Sequence, residues 1–99
     1  MVLYKCTRGT SNARGFPTPE GFTVMAGSSV SARIAPSFEL ANKWYYQLRL
    51  HLVAEGIIRD GVFQKDHVFR SSTAAASVVM GMAISGRVAW IKEDSSLKK

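Results

Sequence analysis

Two segments near the start of the chain alternate apolar and polar side chains with the period of a β-strand. The first, Leu3 to Thr7, ends at the turn-forming run Arg8-Gly9-Thr10-Ser11-Asn12, which predicts a short strand followed by a loop. In the second, Gly21 to Ser28, one face carries Phe22, Val24 and Ala26. Because the stretch between these segments shows no helical period, we predict that the two strands pair antiparallel.

Apolar residues recur at helical spacing from about Phe38 to Glu55, which predicts a long helix. Ser37 can accept a hydrogen bond from the first helical turn, and Gly56 stands where a C-cap belongs. One stripe is predicted to face the core: Leu40, Ala41, Trp44, Tyr45, Leu48 and Leu52. A second apolar group, on another side of the same helix, consists of Tyr46, Leu50 and Val53. This side is either covered by another part of the protein or forms an exposed apolar patch.

The segment after this helix predicts a hairpin and one more strand. Two short apolar runs flank Asp60-Gly61, a dipeptide that readily supplies the positive φ angles of a type I′ turn. A short strand from His67 to Arg70 follows.

A second, shorter helix is predicted next. Ser71-Ser72-Thr73 provides three candidate N-caps, Ala74 to Met80 forms the helix, and Gly81 ends it. We expect an irregular turn over Met82 to Gly86. A last strand is predicted from Arg87 to Ile91, with Trp90 in the core. The tail from Ser95 to Lys99 is predicted to fray.

This order of elements indicates one α+β domain over residues 1–99, a mostly antiparallel sheet with two helices packed on one face. An apolar fraction of 46% excludes a disordered tail. No segment approaches the roughly 20 consecutive apolar residues of a membrane span. Since the N-terminus has no apolar signal segment and the chain has a single cysteine, we expect a cytoplasmic protein with no membrane contact.

The charge balance favours an anionic partner. The chain carries 13 Lys and Arg against 7 Asp and Glu, a net charge of +6. Lysines and arginines that bind beside phosphates release counterions condensed on the nucleic acid, and this release favours binding. The positive net charge therefore indicates a nucleic-acid partner. The cations are scattered with no run longer than two, so any basic patch must be assembled by folding.

No residue pattern supports catalysis or a bound metal. His51 and His67 fall on different predicted elements, and Cys6 has no partner in a CxxC motif, so we expect no zinc site. The serines lack a nucleophile motif, and no glycine-rich phosphate loop is present. We therefore expect no enzymatic activity and no cofactor.

Five segments occur in the order typical of a small bacterial domain family of unknown function: Ala13-Arg14-Gly15, Glu20 to Ser28, Asp60-Gly61, Phe69 to Gly81 and Gly86 to Trp90. The chain resembles this family over nearly its whole length, although Thr73 stands where members often have proline and Met82 where a polar residue often follows the glycine. Members occur alone or C-terminal to GIY-YIG-type nucleases and restriction or methylation proteins. The resemblance implies a DNA-modification context and no active site.

The leading functional hypothesis is a non-catalytic accessory domain that contacts nucleic acid, most simply the DNA backbone without sequence specificity. The start of the second helix could hold a phosphate between Arg70, free backbone N–H groups and hydroxyls, although ordinary capping is the favoured interpretation of the same serines. The residues predicted to make the contact are Arg14, Arg59, Lys65, Arg70, Ser71, Ser72 and Arg87.

The alternative hypothesis is a protein-interaction or oligomerisation module. In it, Tyr46, Leu50 and Val53 dock on a second copy of the chain or on a larger nuclease or methyltransferase. The aromatic and basic residues around Trp44 do not form a base-stacking platform, because successive helical residues point in different directions.

Overall fold

A computed structural model describes residues 2–7, 11–32, 34–35, 38 and 43–93. In this part of the chain the strands are β1 (Tyr4–Cys6), β2 (Ala13–Thr18), β3 (Gly21–Val24), β4 (Ile58–Arg59), β5 (Val62–Phe63), β6 (His67–Phe69) and β7 (Ile91–Lys92). The helices are α1 (Lys43–Ala54), α2 (Ser72–Met80) and α3 (Gly86–Ala89). Five strands form one antiparallel sheet in the order β6-β3-β2-β1-β7, and β4 pairs with β5. The predicted α+β class is confirmed.

The strand register gives the sheet two different faces. Gly15 lies opposite Val24, and Phe22 lies opposite Phe69, so these residues share one face, the core face. Helix α2 belongs to the same buried cluster, and every residue from Ala74 to Met80 is buried. The residues between them in sequence point to the other side, where Lys5, Arg14, Val68 and Ile91 are exposed. We call this second side the open face, because these four residues are exposed on it.

The predicted antiparallel pairing of the first two segments is wrong, because a further strand lies between them. Strand β2 pairs antiparallel with both β1 and β3, so those two strands run parallel to each other. Its buried positions are filled by Ala13 and Gly15, whose small side chains give little hydrophobic signal. Gly15 has a packing reason: a Cβ there would meet the backbone oxygen of Thr23 and the Phe22 ring.

The predicted last strand, Arg87 to Ile91, is also wrong in its bounds. Ser85 accepts a hydrogen bond from the backbone N–H of Arg87 at 3.2 Å and thereby starts α3. The strand β7 begins only at Ile91. A Cβ on Gly86 would collide with Ser72, so glycine allows the start of α3 to abut the start of α2.

The residues predicted to form the hairpin turn and to close the first helix have the expected backbone geometry. Asp60 and Gly61 have φ angles of 54° and 76°, as a type I′ turn requires. Helix α1 ends at Ala54, and Gly56 closes it in a Schellman arrangement, in which the N–H of Gly56 donates to the backbone oxygen of Val53 at 3.1 Å and that of Ile57 to the backbone oxygen of Leu52 at 3.0 Å. The predicted cap Ser37 and the tail 95–99 lie outside the described residues.

The prediction that Trp44 is a core residue is wrong: its exposed fraction is 62%. Arg49 is buried instead, and its guanidinium donates to the backbone oxygens of Val78, at 3.1 Å, and of Ser31. Since Val78 lies in the last turn of α2, the cation sits at the negative end of that helix. Helix α1 is therefore rotated so that Arg49 and Leu52 face inward and Trp44 does not. Burial lowers the pKa of Arg49 from its ordinary value.

Candidate nucleic-acid interface

The predicted cationic residues lie on several parts of the surface. Arg14 is on the open face, Arg59 is on the β4–β5 hairpin, and Lys65 lies between β5 and β6. Arg70 follows β6, and Arg87 is in α3. All five side chains are exposed. The structure brings Arg87 close to another predicted residue, Ser72, and this pair defines the candidate site.

The start of α2 uses Ser71 as a conventional cap. The Ser71 hydroxyl oxygen accepts a hydrogen bond from the backbone N–H of Ala74 at 3.0 Å, so the capping interpretation of this serine is confirmed. The Arg70 guanidinium carbon lies 6.0 Å from the centre of the Trp44 ring. Arg70 is thus placed beside α1 in a loose cation–π contact.

Ser72 and Arg87 line a cavity of about 260 Å³, together with Tyr4, Pro17, Phe22, Gly86 and Trp90. We call it the aromatic cavity. Three of its walls are aromatic rings from β1, from β3 and from the residue that ends α3. Among the described residues that line it none is acidic, so the charge at its rim is that of Arg87.

Ring contacts and two hydrogen bonds hold the walls in place. The Phe22 and Trp90 rings are 4.6 Å apart between centroids, and Tyr4 meets Phe22 edge-on at 6.3 Å. The indole N–H of Trp90 donates to the backbone oxygen of Ser72 at 3.0 Å, which ties the end of α3 to the start of α2. The Thr73 hydroxyl oxygen accepts from the backbone N–H of Gly86 at 3.1 Å. The cavity is therefore preorganised at the junction of two helix starts.

These groups suit a ligand with a flat ring and a nearby negative charge. Aromatic walls favour planar rings, and an arginine forks two hydrogen bonds to a phosphate or to a base edge. A volume of about 260 Å³ lies just below the usual range of small-molecule sites, roughly 300–1,000 Å³. This volume matches a single ring system better than a drug-sized ligand.

Arg14 lies in a different environment on the open face. Its guanidinium is 3.4 Å from the Glu93 carboxylate, and the two side chains are 59% and 26% exposed. Its backbone is held by Ser28, whose hydroxyl accepts from the Arg14 N–H at 3.0 Å. A solvent-screened pair of this kind contributes about 0–1 kcal/mol and partly neutralises the cation. Arg14 does not line the aromatic cavity, and it offers less free charge than Arg87.

Arg59 of the hairpin and Lys65 of the loop after β5 are also absent from the lining of the aromatic cavity. Lys65 acts on its neighbour His67: burial, then the charges of Lys65 and His51, lower the pKa of His67 from its ordinary value. Asp66, between them, accepts a hydrogen bond from the backbone N–H of Ala26 at 2.8 Å. This carboxylate anchors the loop after β5 to the loop after β3.

The residues of the alternative hypothesis lie on α1. Leu50 and Val53 have exposed fractions of 47% and 49%. Tyr46 is half-buried, and its ring meets the buried Phe38 ring edge-on at 6.1 Å. Two of the three predicted contacts are thus accessible.

Within the described residues, no three His, Cys, Asp or Glu side chains are grouped to hold a metal ion. The Cys6 thiol is buried and donates to the sulfur of Met80 at 3.3 Å. The same part of the chain contains no helix with the length and hydropathy to cross a membrane.

The sequence did not reveal the aromatic cavity, because its parts are distant in sequence. Tyr4, Phe22 and Trp90 come from three elements and carry no shared spacing. The prediction that Trp90 lies in the core is confirmed by its 5% exposure. The one local signal was Gly86, whose small size permits the close approach to Ser72.

Comparison with known proteins adds a family but no relative of known activity. Neither a curated protein nor a solved structure matches the chain. A family model, described as a domain of unknown function (DUF4357), matches residues 4–99. The chain therefore belongs to the DUF4357 family.

Proposed function

We propose that this protein is a non-catalytic accessory domain that binds nucleic acid, most simply DNA, without sequence specificity. The observation that supports it is the meeting of Arg87 and Ser72 at the aromatic cavity. The net charge of +6 supplies the long-range attraction to phosphates. The resemblance described above favours a bacterial, cytoplasmic setting beside nucleases or restriction and methylation enzymes.

In this proposal Arg87 contacts a phosphate, and the cavity receives an unpaired base from a single strand. Ser72 contributes a hydroxyl, and Arg70 and the remaining predicted cations add phosphate contacts away from the cavity. A base inside a duplex is stacked and paired, so entering the cavity from a duplex costs a few kcal/mol. Single-stranded DNA should therefore bind more tightly than duplex DNA.

Fluorescence anisotropy with labelled single-stranded and duplex oligonucleotides tests the proposal. We expect affinity to fall steeply as salt rises, and Arg87→Ala to lower the magnitude of the salt slope by about one. Lys5→Ala is the matched control, because it removes one exposed cation from the open face. Absence of binding at low salt, or equal effects of the two variants, would contradict the proposal.

A second candidate function rests on the exposure of Leu50 and Val53, at 47% and 49%. It is docking of α1 on a larger nuclease or methyltransferase chain, or on a second copy. Leu50→Glu should abolish such docking without unfolding the domain, since the side chain is already half exposed. Light scattering of the protein, alone and mixed with a candidate nuclease, measures the outcome.

A further inference from the structure

Strand β6 lies at one edge of the five-stranded sheet, with β3 as its neighbour. An edge strand presents backbone N–H and C=O groups that another strand can pair with. Beside this edge runs a cavity of about 240 Å³, lined by Trp44 and Leu48 of α1 and by His67, Val68, Phe69 and Arg70. Trp44 and Val68 are 62% and 48% exposed. The edge thus combines a strand template with accessible apolar side chains.

The charges along this edge are self-complementary. The run Asp66-His67-Val68-Phe69-Arg70 has an acid at one end and a base at the other. If two copies pair antiparallel with Val68 opposite Val68, each Arg70 lies opposite the Asp66 of the other copy. Shifting the register by two residues, the smallest shift that keeps each side chain on its face, places Arg70 opposite Val68 instead. One register therefore pairs both charges.

Both charged groups are held near the edge before any pairing. Asp66 accepts a hydrogen bond from the Ala26 N–H at 2.8 Å, and Arg70 lies over the Trp44 ring. Side chains that are already ordered lose less entropy when a complex forms. An unrelated acidic peptide would satisfy Arg70 but would bring a second negative charge to Asp66. The edge is better matched to another copy of itself.

We propose that two copies of this chain pair through β6 in antiparallel orientation, with a twofold axis at Val68. The two five-stranded sheets then become one continuous sheet, flanked by two ion pairs between Arg70 and Asp66. Cross-strand charge pairs of this kind each contribute modestly, so the dimer should weaken as salt rises. Arg70 also adds a phosphate contact in the proposed function, but no residue lining the aromatic cavity belongs to β6. Arg87→Ala therefore tests nucleic-acid binding, and Val68→Cys tests this pairing, without altering the shared Arg70.

Charge exchange tests the ion pairs. In sedimentation velocity at increasing concentration, we expect the wild-type protein to form a dimer and Arg70→Asp to remain a monomer, because the substitution sets a second carboxylate against Asp66 of the other copy. The double variant with Asp66→Arg and Arg70→Asp should recover the dimer. Asp66→Arg also removes the bond to Ala26, so the folding of each variant is checked by thermal denaturation. A wild-type monomer at every concentration, or a folded double variant that does not dimerise, overturns the proposal.

Disulfide cross-linking tests the register and does not depend on the charge variants. Opposite residues of an antiparallel pair have Cα atoms about 4.5–5.5 Å apart, within the range that a disulfide spans. Val68→Cys should cross-link two chains under mild oxidation. Val88→Cys is the matched control, with 50% exposure on α3 against 48% for Val68, and the native Cys6 is fully buried. Equal cross-linking by the two variants would place the dimer contact elsewhere and overturn the proposal.

Discussion

The two faces of the five-stranded sheet are built from alternate residues of the same strands, yet we expect them to differ in how strongly a substitution destabilises the fold. On the core face Cys6, Ala13 and Val24 have no exposed surface, and they belong to the same buried cluster as the alanines of α2. On the open face Val68 and Ile91 are about half exposed, at 48% and 54%. Burial, and not strand membership, therefore sets how much each residue contributes to stability. Matched substitutions on the two sides put this contrast to the test.

The largest contrast is expected between two arginines. Arg49→Ala should lower the free energy of unfolding by about 3 kcal/mol, because it removes packing and charge-assisted hydrogen bonds to Val78 and Ser31. Arg14→Ala on the open face should change it by no more than about 1 kcal/mol. Urea denaturation of the two variants checks this. Similar losses would mean that the buried guanidinium does not secure α1 to α2.

The next contrast is between two valines of neighbouring strands. Val24→Ala should cost about 2 kcal/mol, since its side chain is fully buried. Val68→Ala should stay within about 0.5 kcal/mol in the monomer. The comparison requires dilute protein, because the proposed pairing of β6 would add a concentration-dependent loss to the second variant. Equal losses in dilute solution would contradict the assignment of the two faces.

Two serines of α2 should respond with opposite sign. Ser71→Ala removes the N-cap and should destabilise by about 1 kcal/mol. Ser77 is fully buried, and its hydroxyl has no hydrogen-bond partner among the described residues. Ser77→Ala should therefore be neutral or stabilising by up to about 1 kcal/mol, because the desolvation cost of an unpaired hydroxyl is lost. The melting temperatures of the two variants measure the signs, and a destabilised Ser77→Ala would point to a partner for that hydroxyl.

The smallest effect concerns His67, which lies on the core face of the edge strand β6. Burial, Lys65 and His51 lower its pKa in the folded protein, so the unfolded chain binds the proton more readily. This contribution to stability is complete above the unfolded pKa of about 6.5 and is lost as pH falls through the folded pKa. Unfolding curves between neutral and mildly acidic pH should show a small decline that His67→Gln reduces. An unchanged decline in that variant would assign it to other groups.

The local elements were predictable where the signal is carried by neighbouring residues. Asp60-Gly61 specifies its turn because both positions need positive φ, and Ser71 and Gly81 bound α2 because helix ends need partners for free backbone groups. Strand β2 was missed because Ala13 and Gly15 are small, and their burial comes from what packs on them. An element is thus predictable from its own residues only when their side chains form a recognisable hydrophobic pattern or include residues typical of turns and caps.

Residues close together in the chain were sufficient to specify the α+β class, the hairpin, the limits of α2 and the positive charge. The rotation of α1, the exposure of Trp44, the burial of Arg49 and the assembly of the aromatic cavity were settled only in the folded domain. These features depend on contacts between distant segments, such as Arg49 with Val78 and Trp90 with Ser72. Such contacts depend on the packing of the whole domain. The face that a helix turns toward the core is the one that packs and hydrogen-bonds best with the neighbouring elements, which need not be its most apolar stripe.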